Sequence, residues 1–352
     1  MEAARAEVAE LIGAQPGEIV FTSGGTESDN LALRGVVGEW METRERSPLP
    51  HLVASSIEHH AVLHVMEDLE RCGHSVTYLP VGAGGRVEAR AVAAALRPDT
   101  ALVSLMLANN ETGVMQPVAE VAEVAHAARI PLHVDAIQAV GRMPVDVHAL
   151  GCDLLGLSGH KFHAAPGIGA LYVRRGTRLR PMLLGGHHER DRRAGSENVP
   201  GIVSLGAASR LARTDGAAVA ERLGNLRDAL EAGILAAVPD CGVVGAGEDR
   251  VPNTTNIFFD GVEGEALVIA LDLQGFCVST GAACSSGALE PSHVLLAMGF
   301  SRRRARSCVR FSLGRQNTET EVRALLEILP PTVERLRRIA VGAAANHRVR
   351  IA

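Results

Sequence analysis

Lysine is all but missing from this chain: of its 35 Lys and Arg residues only one, Lys161, is a lysine. Arginine replaces lysine wherever only positive charge is needed, but a guanidinium stays protonated and cannot act as a nucleophilic amine or form a Schiff base. A chain that otherwise uses arginine and keeps one lysine points to amine chemistry at Lys161, with a chance survivor as the bland alternative. Aromatic residues are scarce as well, at 3%, and the net charge is −5, so nucleic acid is not expected as the primary ligand. The six cysteines, Cys72, Cys152, Cys241, Cys277, Cys284 and Cys308, are dispersed without a C-x-x-C pair, which argues against a disulfide framework and a structural zinc. No apolar run reaches the roughly 18 residues that span a bilayer. The opening MEAARAEVAELIG reads as an acidic amphipathic helix rather than a signal or transit peptide, and a cytoplasmic location is expected.

What is present is ample for a packed fold. The 352 residues are 47% hydrophobic and 21% charged, which predicts a globular protein of about two domains. Through about residue 175, short β-branched runs at 18–21, 51–55, 75–81, 100–107, 131–134, 153–157 and 168–173 alternate with helical periodicity at 26–41, 59–71, 90–96 and 117–129. That alternation predicts an α/β fold built on one mostly parallel seven-stranded sheet flanked by helices. A polar, Gly-rich stretch, GGHHERDRRAGSENVPG, precedes two expected helices at 202–212 and 217–238. Strands at 255–260, 276–279 and 307–312 and helices at 264–273, 291–298 and 318–340 then predict a smaller α+β domain. The reading divides the chain into a large domain over 1–209 and a small one over 210–352.

Three features converge on one edge of the expected sheet. In SGGTESDN, two glycines and Thr26 open a helix, where free N–H groups and the helix dipole favour a phosphate; on its own this is as easily an ordinary cap. HVDAIQ puts Asp135 at a strand's carboxyl end with Gln138 three residues on, and LSGHK puts Ser158, His160 and Lys161 at the end of another. Ligands of open α/β sheets bind at that edge. An acid for a pyridine nitrogen, an amine for an aldehyde and donors for a phosphate are what pyridoxal 5'-phosphate requires.

The runs FTSGGTESDNLAL, SSIEHHAVL, ANNETGV, HVDAIQAVG, LSGHKFHA, GGHHERDRRAGSENV, STGAACSSGALEPSHVL and VRFSLGR resemble, in that order, the cysteine desulfurases of the NifS/IscS type, class V aminotransferases of fold type I. The resemblance covers almost the whole chain. It implies that Lys161 bonds the cofactor and moves protons, that Asp135 faces the pyridine nitrogen, and that His59 stacks on the ring with an acid–base role. It further implies that Gln138 meets the phenolic oxygen and that Gly25, Thr26, Ser158 and His160 hold the phosphate, with Ser196 reaching over from a second subunit of a homodimer. Asn110 and Arg310 are implied to receive the substrate carboxylate, Arg310 through its bidentate fork. Cys284, in GAACSSG, is implied to be the nucleophile that takes sulfur from L-cysteine as a persulfide, leaving L-alanine, and to pass it to an acceptor such as an iron–sulfur scaffold, a sulfur carrier or a thiolation pathway. A selenocysteine lyase, another class V lyase or aminotransferase, and a catalytically impaired sulfur-transfer subunit are the competing readings.

Other conspicuous residues have plainer readings. Cys277 and Cys308 fall in apolar runs and are expected in strands. His60 and His64 have a metal-compatible spacing but no third ligand, so no metal is expected. Arg302–Arg306 reads as a solvated helix start, with docking of an acidic acceptor protein as the alternative, and His187 and His188 receive no role. Two departures from the family pattern stand out. No Asn-Asn-Ala-Thr-Thr opening is found, which leaves truncation, a shifted start or a degenerate member open and bears on both cofactor retention and activity. HKFHAAPGIG carries Ala165-Pro166 where similar proteins have Pro-Lys.

Overall fold

Residues 1–43, 49–281 and 290–349 are described by the computed structural model. The chain divides into two compact units. The first comprises Met1–Val81, Arg86–Asn110 and Met115–Ala218, and the second Gly82–Gly85, Glu111–Val114 and Val219–Ala352.

The first unit holds strands β1 (Ile19–Thr22), β2 (His51–Ser55), β3 (Ser75–Leu79), β4 (Thr100–Met106), β5 (Leu132–Asp135), β6 (Leu154–Ser158) and β7 (Gly169–Val173). Between and before them run α1 (Glu2–Leu11), α2 (Gly25–Thr43), α3 (His60–Arg71), α4 (Ala89–Ala95), α5 (Val118–Ala127) and α6 (Val147–Leu150). The seven strands form one sheet in the order β1-β7-β6-β5-β4-β2-β3. It is mostly parallel, as the alternation predicts; β7 alone runs antiparallel to both neighbours, β6 and β1. Two antiparallel steps restore direction, so β1 points the same way as β6, β5, β4 and β2. All five therefore deliver their carboxyl ends to one edge.

Burial on both faces explains the nearly unbroken apolar strands: all seven residues of β4 are buried. The helices contribute stripes of helical period. Val62, Val65, Met66 and Leu69 of α3 pack with Leu31, Leu33 and Val36 of α2 against Leu52, Leu102, Leu154 and Leu171 of the sheet.

The second unit carries a three-stranded antiparallel sheet, ordered β10-β9-β8, from β8 (Cys241–Val243), β9 (Thr254–Phe259) and β10 (Cys308–Ser312). Its helices are α8 (Gly264–Asp272), α9 (His293–Ala297), α10 (Arg302–Arg306) and α11 (Glu319–Val349), with the later part of α7 (Val199–Ala237). Leu226, Leu230 and Ile234 of α7 meet Ile257, Phe259, Val309, Phe311 and Leu329 in its core. Period-two alternation places Val309 and Phe311 in that core and Arg310 between them on the opposite face.

Three expectations need correction. The two helices expected at 202–212 and 217–238 are one 39-residue helix, α7, which runs through Gly216. A Cβ at Gly216 would meet nothing within 4 Å, so the glycine lies in open space and costs only about 1 kcal/mol of helix propensity. The strand expected at 276–279 is reduced to a single bridge between Ser279 and Arg310, while Cys241–Val243 supplies the third strand. Consequently Cys277 is exposed and outside any strand, whereas Cys308 is buried in β10.

Candidate active site

The shared edge of the first sheet collects the loops that sequence reasoning singled out. Asp135 ends β5, Ser158 ends β6, and Gly159–Phe162 is a 3-10 turn that carries His160 and Lys161 directly off the sheet. The loop after β1 leads into α2 at Gly25, the loop after β2 into α3 behind His59, and the loop after β4 into Asn110.

Asp135 is the electrostatic centre of this edge. It is buried, and its Oδ1 accepts the Ile137 backbone N–H at 2.9 Å. Burial, reinforced by the charge of Asp29, pushes its carboxyl up to about 8, against the opposing pull of that N–H, His133 and Lys161. Two further acids behind it are fully buried. Glu58 accepts from Ser55 Oγ at 2.5 Å and from the Met106 N–H at 2.9 Å, yet burial, with Asp135 and Asp29, raises it to about 8. Asp29 of α2 is raised to about 8 by burial. Its Oδ1 lies 3.4 Å from His133 Nε2 without hydrogen-bond geometry, and His133 Nδ1 is 2.9 Å from Ser104 Oγ. Burial holds His133 down to about 4, with Asp135 opposing. Three acids so placed favour a cationic group at Asp135, the one acid of the three at the strand ends, with the half-buried Lys161 close enough to act on it.

Beside this acid the backbone forms an anion cradle. α2 opens at Gly25, whose own Cβ would come within 2.5 Å of Ile137 Cδ1 and 3.5 Å of Ser158 Cβ. No side chain fits there, so the amides at the start of α2 remain accessible next to Ser158. Gly169 of β7 is constrained from the other side, since a Cβ would press Gly24 Cα at 2.7 Å and keep the loop off the sheet. Ser158 Oγ and His160 Nδ1 are 2.9 Å apart, and Thr26 is exposed at the helix's first turn. Dipole and N–H groups suit a phosphate there.

Of the remaining candidates, His59, Asn110 and Gln138 follow strands of the first sheet. His59 caps α3, with its Nδ1 accepting the Ala61 N–H at 3.1 Å. Asn110 follows Asn109, whose amide binds the Ile57 carbonyl at 3.0 Å and so joins the loop after β4 to the one bearing His59. Gln138 Oε1 accepts from Arg142, leaving its amide N–H groups as the donors on offer. Arg310 lies in the second unit, on β10. Cys284 lies outside the described residues. Among the described residues no group of three or more His, Cys, Asp and Glu could hold a metal, and no helix is long and apolar enough to cross a membrane.

One structural feature escaped sequence reasoning. The loop bearing Ser196, itself exposed, is anchored by a buried bidentate pair in which Arg5 Nη1 and Nη2 meet Glu189 Oε2 and Oε1 at 2.7 and 2.9 Å. Glu189 also accepts the Phe21 N–H, Arg5 donates to the Ile19 carbonyl, and Arg193 pairs with Glu27 in the first turn of α2 at 2.8 Å. These bonds hold Glu189, Arg190 and Asp191 in consecutive left-handed conformations, with φ of 47°, 57° and 63°. No short-range pattern signals a pair separated by 184 positions. Glu189→Ala leaves the buried Arg5 guanidinium with only Glu2 and the Ile19 carbonyl, strips the buried Phe21 N–H of its acceptor, and is expected to cost about 3–5 kcal/mol of unfolding free energy in urea titration. A loss below about 1 kcal/mol would show the anchor to be dispensable.

Comparison with known proteins places these features in context. The profile of the Aminotransferase class-V family matches residues 1–325. A protein named Cysteine desulfurase 2 from Trichormus variabilis is 48% identical over 340 residues, covering 97% of this chain and 84% of its own. Cysteine desulfurase IscS from Methanosarcina thermophila is 46% identical over 337 residues, 96% of this chain and 82% of its own. A solved NifS-like protein superposes with a TM-score of 0.87 at 35% identity, covering 95% of this chain and 87% of its own.

Proposed function

Because the chain belongs to the class V aminotransferase family, we propose that it is a pyridoxal-phosphate-dependent cysteine desulfurase, converting L-cysteine to L-alanine and carrying the sulfur as a persulfide on Cys284. The observation that carries this reading is the placing of the chain's one lysine, half-buried, within electrostatic reach of the buried Asp135 at the edge where a glycine-opened helix begins.

The residues present fit the cofactor. Asp135 offers a buried carboxylate for a ring nitrogen, and Gly25, Thr26, Ser158 and His160 offer amide, hydroxyl and imidazole donors for a phosphate, joined by Ser196 of a second subunit in a homodimer. Gln138 offers an N–H toward the phenolic oxygen, and His59 an imidazole for stacking and proton exchange. Pyridoxal phosphate supplies an electron sink that lets the cysteine α-proton leave and opens its β-sulfur to attack.

The protein's own groups do the rest. Lys161 Nζ would be the amine that holds the cofactor and would carry the α-proton. Asn110 and Arg310 orient the substrate carboxylate, a planar fork being the best bidentate partner for it. Cys284, as thiolate, forms the new S–S bond while the substrate's C–S bond breaks, so cysteine plus thiol becomes alanine plus persulfide. The outer sulfur then passes to an acceptor, such as an iron–sulfur scaffold or a sulfur carrier.

The test incubates purified protein with pyridoxal phosphate, L-cysteine and dithiothreitol, which reduces the persulfide to sulfide. Equal yields of alanine and sulfide are expected, both falling at least about a hundredfold in Cys284→Ala. A wild type that makes neither product sinks the proposal. Alanine formation that persists in Cys284→Ala points instead to a lyase that does not use this thiol.

A further inference from the structure

Glu111 is only 3% exposed, and the reading above gives it no task. Its surroundings within the second unit are specific. Glu111 Oε2 accepts the Ser292 hydroxyl at 2.6 Å, and the same Ser292 oxygen accepts the Leu295 N–H at 3.2 Å, capping α9. The Glu111 carbonyl accepts Asn256 Nδ2 at 3.1 Å, and Asn256 sits opposite Arg310 in the β9–β10 register. Gly281 backs onto the carboxylate so closely that a Cβ there would overlap Oε2. Ser279, two residues earlier, exchanges both backbone hydrogen bonds with Arg310, at 3.2 and 2.7 Å. Burial raises the Glu111 carboxyl, while the Ser292 bond and the charge of Arg310 act to keep it ionised.

In sequence, Gly281 and Ser292 flank the stretch that contains Cys284. We infer that Glu111 is a positioning residue that holds both flanks of the Cys284 stretch and orients the substrate arginine, Arg310. The inference rests on the desulfurase reading and deepens it. Sulfur transfer requires thiolate and substrate to approach within a narrow range of distance and angle, and a misplacement of about 1 Å can cost about a hundredfold in rate. A buried carboxylate bonded to one flank, packed on the other and within electrostatic reach of Arg310 sets the nucleophile's tether and the substrate's anchor against a common reference.

The experiment uses the holoenzyme and its Glu111→Ala, Glu111→Gln and Ser292→Ala variants. Bound cofactor is read by absorbance, Cys284 reactivity by the rate of iodoacetamide alkylation resolved by mass spectrometry, and KM and kcat with L-cysteine. All three variants should retain cofactor. Ser292→Ala should lose about tenfold in kcat at unchanged KM, and Glu111→Ala about a hundredfold with KM raised. Glu111→Gln keeps an amide oxygen for Ser292, so it should return to within about threefold of wild-type kcat while KM stays raised, Arg310 having lost the charge that orients it. Cys284 alkylation should change in the two alanine variants and return toward wild type in Glu111→Gln.

Wild-type alkylation and kcat in both alanine variants overturn the inference. So do losses that track cofactor content or thermal stability without the split between KM and kcat. A wild type unable to make alanine from cysteine sinks the desulfurase reading instead, and the alkylation rates then decide on the flanks alone.

Discussion

Lys161→Arg is expected to reduce alanine formation from L-cysteine by at least about 10⁴-fold while leaving the fold intact. The substitution keeps a cation beside Asp135, so the charge balance among the buried acids is preserved. What it removes is an amine able to bond a carbonyl and give up a proton, because a guanidinium stays protonated. Alanine measured by amino-acid analysis, together with borohydride trapping of cofactor on the wild type alone, makes the comparison. A small exogenous amine should restore part of the activity, since it replaces the lost proton carrier. Arginine variants that keep more than about 1% of wild-type turnover would remove Lys161 from the chemistry.

Asp135→Asn carries the second large effect, an expected loss of about 10³-fold in turnover, because an amide cannot hold a proton on a ring nitrogen by charge. It also has a signature independent of turnover. Asp135, Glu58 and Asp29 are each raised to about 8 in the folded protein, far above ordinary carboxyl values. The folded chain therefore binds protons that the unfolded chain releases near pH 4. Their contribution to stability is fully present below that pH and is lost as pH rises toward about 8. The cofactor-free protein should fall by about 5 °C in Tm between pH 6 and pH 8 by calorimetry. In Asp135→Asn the fall should be shallower, since one acid is gone and the repulsion it exerts on Glu58 goes with it. A Tm that rises over this interval would show that the three acids are ionised in the folded state.

Much of the fold could be read along the chain because its signals are short-range. Each of the seven strands of the first sheet is a run of four to seven residues, and the stripe of α3 repeats every three to four. The errors arose where a local signal competed with packing. Thr214-Asp215-Gly216 looks like a helix stop, yet α7 continues because Leu226, Leu230 and Ile234 beyond it are secured in a core. Residues 276–279 have strand composition, but only Ser279 bridges to β10.

The candidate site divides along the same line. Lys161 stands out by counting, and Gly25, Asp135, Ser158 and His160 by their places at expected strand ends, because residue chemistry and strand direction are both written in the sequence. By itself the sequence thus determined the α/β class, the sheet edge and the residue types gathered there. Tertiary structure alone decided the partners: Arg5 with Glu189, Asp29 beside His133, Glu111 with Ser292. The separations are 184, 104 and 181 positions, and no periodicity spans such distances. Whether a buried acid is a liability, a proton store or an anchor depends on which dipoles and charges surround it once water is excluded, and only the folded chain brings them within reach.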